Sequence, residues 1–352
     1  MIKDWKHLFE LKKTDVLGLD IGSCVVKMVA LRKSDTGYTT TAAGITEIAA
    51  SEDDNHRRIN TIQAIRKCFE SARIKTKLVV CGVSGQEVAV RDFAFPSLLP
   101  EEIVSAVSLE ASQVCPFSAA DSAVDYNLMP NNDNKSSGVL VAAMNTLITN
   151  KVQLTKEARL KCVLMDVDGL ALLNCFNGLA NGHEKSETNQ TVAILNVGGM
   201  HTTLAIMDND GWPFIRDMTY AGNDIVAQIA AMNDMSKETV RGILSGDSMA
   251  DEAGLSDSLE KACHKLITNV GETLRYYSAQ SASANVEKLF VCGGFALAGG
   301  FVELLNRRLG VEAVLWNPFD KICHNANRQY EDLYAKNGPA MAVAAGLAMR
   351  SV

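Results

Sequence analysis

Two stretches about half a chain apart repeat one design, and that repeat constrains the fold more than any other feature. Residues 16–31 read V-L-G-L-D-I-G-S-C-V-V-K-M-V-A-L, and residues 191–208 read T-V-A-I-L-N-V-G-G-M-H-T-T-L-A-I-M-D. In each, two apolar, β-branched runs meet at a short Gly-containing turn, the pattern of two paired strands. Repetition at that spacing predicts an internal duplication. A third stretch, residues 288–300 (K-L-F-V-C-G-G-F-A-L-A-G-G), predicts a buried strand, a Gly-Gly turn and a helix start.

The first turn carries residues suited to an anion. Gly22 has no Cβ, so backbone N–H groups there can approach a phosphate closely. Asp20 ends the first strand and is placed to hold a hydrated Mg²⁺ through water, since that ion needs few carboxylates. Lys27 follows on the return strand, within reach of the same phosphates. Taken alone, a D-x-G triplet is a common turn.

Two phosphate hairpins followed by a late strand–Gly-Gly–helix resemble the actin/hexokinase/Hsp70 ATPase fold. Within it the chain is similar to the PilM family, actin-like cytoplasmic proteins of type IV pilus assembly. The most specific piece is residues 109–126, L-E-A-S-Q-V-C-P-F-S-A-A-D-S-A-V-D-Y, which resembles the family's L-E-A-x-x-x-x-P-F stretch and its trailing acidic residues. The resemblance implies an α/β chain of the actin-like (ribonuclease H-like) ATPase fold, two duplicated halves with an inserted 1C-type subdomain. It implies ATP or ADP with Mg²⁺ as cofactor. It also implies a cytoplasmic chain, peripheral at the inner membrane, that binds the N-terminal cytoplasmic tail of a PilN-like membrane protein. Pilus motor components and self-assembly are further partners to consider.

Carried over residue by residue, the resemblance gives Gly22, Ser23, Cys24 and Lys27 to the phosphates from the first turn. Asn196, Gly198, Gly199 and Thr202 serve from the second, with Gly293 and Gly294 from the third. Glu238 and Arg241 match the spacing of a Glu-x-x-Lys pair that touches ribose and base, with Arg in place of Lys; an exposed helical pair would look the same. Asp20 is the metal-associated catalytic carboxylate. Asp168, at the start of a connecting helix, is the candidate for orienting an attacking water, although a helix N-cap would also account for it. One residue departs from the pattern: Asn196 stands where the second hairpin ordinarily has Asp. A neutral amide accepts a hydrogen bond from metal-bound water but adds no charge, so hydrolysis is expected to be weak or absent.

The expected organisation runs in chain order. An amphipathic segment (1–13), able to dock on its own domain or touch lipid, precedes the first part of subdomain 1A (14–92). The inserted subdomain 1C (93–165) comes next, then a connecting helix and hinge (166–190). Subdomain 2A (191–223 and 266–320) encloses 2B (224–265), and residues 321–352 return to 1A. Within this frame, helices are expected at 61–72, 149–158, 170–179 and 256–278, a strand at 138–144, and loops at 51–58 and 131–137. The insert resembles a peptide-recognition module: Asp121 and Asp125 suit an apolar tail carrying a basic residue or two, while Phe117 and Tyr126 either line the groove or fill the core.

Other chemistry finds little support. Acidic residues outnumber basic ones, 41 to 34, so nothing favours nucleic acid. Nine cysteines without C-x-x-C spacing read as reduced thiols, and no apolar run is long enough for a membrane span. Six dispersed histidines lack metal spacing, and no nucleophile elbow is present. The alternative functions are an active phosphotransferase or ATPase of the same superfamily, or a relative serving type II secretion or cell division. A phosphotransferase would need a base aimed at an acceptor hydroxyl. No motif supplies one.

Overall fold

The computed structural model describes residues 16–35, 37–129, 135–180, 191–246, 252–280, 286–324 and 328–350. The amphipathic segment 1–13, the hinge 183–190 and most of the loop 131–137 lie outside these residues.

The first hairpin forms as its pattern requires. β1 (Leu17–Ile21) pairs antiparallel with β2 (Val25–Ser34), bringing Asp20 opposite Lys27. β3 (Gly37–Glu47) extends the sheet antiparallel to β2. α1 (Asp54–Ser71) starts well before the apolar periodicity at 61–72 and absorbs part of the expected loop 51–58. A cap explains the early start: Asp53 Oδ1 accepts from the His56 N–H at 2.8 Å, satisfying one of the orphan donors of the first turn. β4 (Leu78–Val83) then runs parallel beside β1.

The chain next leaves this sheet to build a separate one. β5 (Val88–Pro96), α2 (Pro100–Val114), β6 (Ser122–Leu128) and β7 (Lys135–Met144) follow, the strands pairing antiparallel in the order β5-β7-β6. α2 lays Ile103, Val107 and Ala111 onto Phe93 and Leu140. α3 (Asn145–Glu157) leads back to β8 (Lys161–Val167), which pairs parallel with β4. The insert thus differs from the expected 93–165 at both ends. Its sheet begins at Val88, which pairs with Ala143, and β8 belongs to the first sheet, where it completes the parallel edge beside β4.

After α4 (Asp168–Ala180) the second half repeats the first. β9 (Thr191–Val197), β10 (Thr202–Met207) and β11 (Pro213–Met218) are antiparallel neighbours. Three helices follow, α5 (Gly222–Asn233), α6 (Lys237–Leu244) and α7 (Glu252–Gln280). β12 (Val286–Cys292), α8 (Phe301–Arg308) and β13 (Glu312–Leu315) close this half, both strands running parallel in the sheet. The order β11-β10-β9-β12-β13 reproduces β3-β2-β1-β4-β8 neighbour for neighbour, in direction as well as position. The duplication read from the hairpins is real.

β14 (Cys323–His324) adds a parallel edge to β3, and α9 (Arg328–Asn337) and α10 (Ala342–Ala348) close the first half. α10 is built of small residues because it lies backbone to backbone on its neighbours. A Cβ on Gly18 of β1 would collide with the Ala344 carbonyl, and one on Gly346 with the Ala171 carbonyl of α4. One core runs continuously between the halves, joining Val80, Ala171 and Leu172 to Ile194, Ala205 and Ile215. Among the described residues no helix is long and apolar enough to cross a membrane.

Candidate functional site

Between the halves lies a cleft of about 920 Å³. The two hairpin turns face it and match atom for atom. Gly22 N donates to Val25 O at 3.1 Å, and Gly198 N donates to His201 O at 3.0 Å. A Cβ on either glycine would sit 2.9 Å from that same carbonyl oxygen, so both turns depend on its absence. Gly293 has φ +94°, and a Cβ there would lie 2.6 Å from Asn196 Oδ1. Its N–H donates to Pro339 O at 3.0 Å, which holds the third turn against the first half.

Most of the residues singled out in the sequence meet here. Asp20, Gly22, Ser23, Cys24 and Lys27 line one wall, and Asn196, Gly198, Gly199, Gly293 and Gly294 line the other. Asp168 and Arg241 also line the cleft. Thr202 does not. It is fully buried and its Oγ1 donates to Tyr220 O at 3.0 Å. The register explains why: Asn196 lies opposite Thr203 as Asp20 lies opposite Lys27, so the neighbour faces the cleft. Glu238 is also outside. α6 packs Val240, Ile243 and Leu244 on the core, leaving Glu238 in solvent, while Arg241 Nη2 donates to Asn223 Oδ1 at 3.1 Å.

The charges on the floor are largely paired or suppressed. Lys27 Nζ lies 2.8 Å from Asp20 Oδ2. Asp168 Oδ2 accepts from Ser84 Oγ at 2.7 Å, but its Oδ1 is buried without a partner. Burial, and after it the Asp20 carboxylate, pushes Asp168 up to about 7, with Lys151 and Ser84 opposing. Gly82 leaves the room this carboxylate occupies, since a Cβ there would collide with Oδ1.

Several residues in or beside the site carried no signal in the sequence. Asp217 of β11 accepts from Thr203 Oγ1 at 2.5 Å and from the Gly85 N–H at 2.7 Å, so it ties the second half to the loop after β4. Burial raises its carboxyl. Asn223 meets Cys24 Sγ across the cleft at 3.7 Å. Ser84 and Lys151 come from a loop and a helix with no motif. Among the described residues no group of three or more His, Cys, Asp or Glu side chains is placed to hold a metal ion.

A family model described as type IV pilus assembly protein PilM matches residues 18–352. The chain is 25% identical over 325 residues to cell division protein FtsA of Bacillus subtilis (strain 168), across 81% of this chain and 72% of that protein. Among solved structures it is similar to the PilM-PilN type IV pilus biogenesis complex, with a TM-score of 0.81 and 21% identity over 96% of this chain and 98% of that one. It also resembles ethanolamine utilization protein EutJ from Carboxydothermus hydrogenoformans, with a TM-score of 0.56 and 13% identity over 96% and 90% of the two chains. The fold is the actin-like ATPase fold expected from the hairpins.

Proposed function

The chain belongs to the family of type IV pilus assembly protein PilM, and from that membership we propose that it is a nucleotide-binding scaffold of a pilus assembly complex. In this reading ATP or ADP with Mg²⁺ lies between the halves, and the tail of a PilN-like inner-membrane protein docks on the three-stranded sheet from the cytoplasmic side. The observation that carries it is the pair of matched glycine turns facing one cleft from two duplicated sheets. Such turns offer backbone N–H groups to phosphate oxygens from both halves at once.

The residues present fit that cofactor. Gly199 leaves space beside Ser23, where a Cβ would come within 2.5 Å of Oγ, so the two turns approach each other closely enough to share one polyphosphate. Asp168 lines the cleft, with its Oδ2 held by Ser84 Oγ at 2.7 Å. Mg²⁺ would be held by phosphate and water beside Asp20, in keeping with an ion that keeps most of its hydration. When bound, the metal nucleotide would supply the negative charge that the backbone N–H groups of both turns are suited to hold. Asp20 is paired to Lys27 and Asn196 is neutral, so hydrolysis by this set is slow. Calorimetry with ATP and ADP at up to millimolar ligand tests the reading, and absence of binding would end it. Asn196→Asp adds a carboxylate beside the second turn and is expected to raise Mg²⁺-dependent ATP affinity severalfold. An unchanged affinity would remove this position from the metal's surroundings.

For the tail, β6 is one of the two edge strands of the three-stranded sheet, and its Asp125, together with Asp121 just before it, is exposed. An extended peptide adds main-chain hydrogen bonds along such an edge. Tyr126 is engaged inward, edge-on to Phe93 with ring centroids 6.3 Å apart, so it serves the subdomain core. Hydrogen exchange on adding a tail peptide should slow the amides of residues 122–128. Tight binding without protection there would place the tail elsewhere.

A further inference from the structure

Helix α3 brings to the cleft a cation that neither the hairpins nor the family pattern assigns. Lys151 stands one turn after Leu147, and both line the cleft. Its Nζ donates to Ile21 O at 3.0 Å, the carbonyl at which β1 enters the Gly22 turn. An ammonium has three donors, and this bond uses one. Lys27, by contrast, is committed to Asp20 at 2.8 Å. Among the described residues no carboxylate oxygen lies within ion-pair distance of Lys151 Nζ, so its charge is not cancelled by a direct partner. A cation so placed, beside a turn that offers backbone N–H groups, is suited to an anion with several oxygens.

The placement is built in rather than incidental. α3 packs against α1, β4 and β8, which fixes the base of the side chain. It also continues without a break from β7, the central strand of the three-stranded sheet. Resting on the nucleotide reading above, we infer that Lys151 is a phosphate ligand of the cleft, delivered by α3 and directed to the outer phosphates of a nucleoside polyphosphate. The side chain exchanges its single carbonyl bond for charge-assisted bonds to phosphate oxygens, and the attraction grows with the phosphate's charge.

Calorimetry on the full chain, comparing wild type with Lys151→Met against ATP, ADP and AMP, tests this. ATP affinity should fall about tenfold or more, the size of one charge-assisted contact. ADP should lose less and AMP should change less than twofold, with Lys151→Arg recovering part of the ATP affinity. Equal ATP affinities in the wild-type and Lys151→Met chains overturn the inference, as do equal losses for ATP and AMP, which would mark general damage to the cleft. A circular-dichroism melt checks folding, and Lys151→Gln provides the same comparison if the Met chain melts below the assay temperature. Failure of the wild type to bind any of the three nucleotides would instead overturn the cleft reading, and this inference with it.

Discussion

Residue for residue, the two halves diverge where their backbones agree. The first sheet sets Asp20, Lys27 and Ile45 side by side across its strands, and the second sets Asn196, Thr203 and Asp217 in the same row. The second half therefore has no hairpin carboxylate in that row but carries one two strands away, held by Thr203 and Gly85. Asp168 faces both halves with a carboxyl raised to about 7 from an ordinary 3.8. A carboxyl raised in the folded state binds its proton more tightly there than in the unfolded chain. Its contribution is fully present below the ordinary value and is lost as pH rises through about 7. Asp168→Asn removes the ionisation, so its melting temperature relative to wild type should climb between pH 5 and pH 8.5, by several degrees at the upper end. A difference that stays flat with pH would show that Asp168 is not held protonated.

Among the elements, α10 is packed against backbone on two sides. Alanine ordinarily improves a helix by about 1 kcal/mol over glycine. At Gly346 the added methyl meets the Ala171 backbone of α4, which cannot step aside as a side chain would. Gly346→Ala is expected to destabilise by about 1–3 kcal/mol, the cost of overpacking. Gly310 offers the control, because a Cβ there meets nothing within 4 Å. Gly310→Ala should stay within about 0.5 kcal/mol of wild type. Urea denaturation of both variants reads the contrast, and equal midpoints would mean that α10 and α4 are not in backbone contact. In α2 the apolar residues Ile103, Val107 and Ala111 recur at helical spacing, whereas the start of α1 rests on the Asp53 cap within a polar stretch.

Taken whole, the molecule joins its two larger sheets by a continuous core and by single bonds between the halves. Asp217 to Gly85 and Asn223 to Cys24 are such bonds, and the proposed nucleotide would add its own to both halves. A ligand that binds only the folded chain stabilises it by about 2.7 kcal/mol at a hundredfold excess over its dissociation constant. ATP with Mg²⁺ should therefore raise the melting temperature by a few degrees in a concentration-dependent way. Asp217→Ala, which frees the Gly85 loop, should lower the unliganded melting temperature. If Asp217→Ala melts with the wild type, the cross-cleft bond contributes nothing to stability.

The sequence by itself determined the parts whose causes are local. Strand–turn–strand alternation, the need for glycine at Gly22 and Gly198, and a repeat of both half a chain later follow from neighbouring residues alone, and so does the duplicated fold. The helix start at Pro100 is of this kind too, with Glu102 accepting from the Leu99 N–H at 2.9 Å. Tertiary structure decided what depends on register and on distant partners. Thr203 rather than Thr202 faces the cleft because pairing with Asn196 sets the face, and a shift of one residue reverses it. β8 belongs to the first sheet because β4 presents it an edge. Ser84 and Lys151 line the cleft from separate segments, and Asp217 stands beside it, holding Thr203 and Gly85; the three meet only once the loop after β4, α3 and β11 come together. No periodicity or spacing within a segment encodes a meeting between segments, because the forces that bring them together act only once the halves have folded.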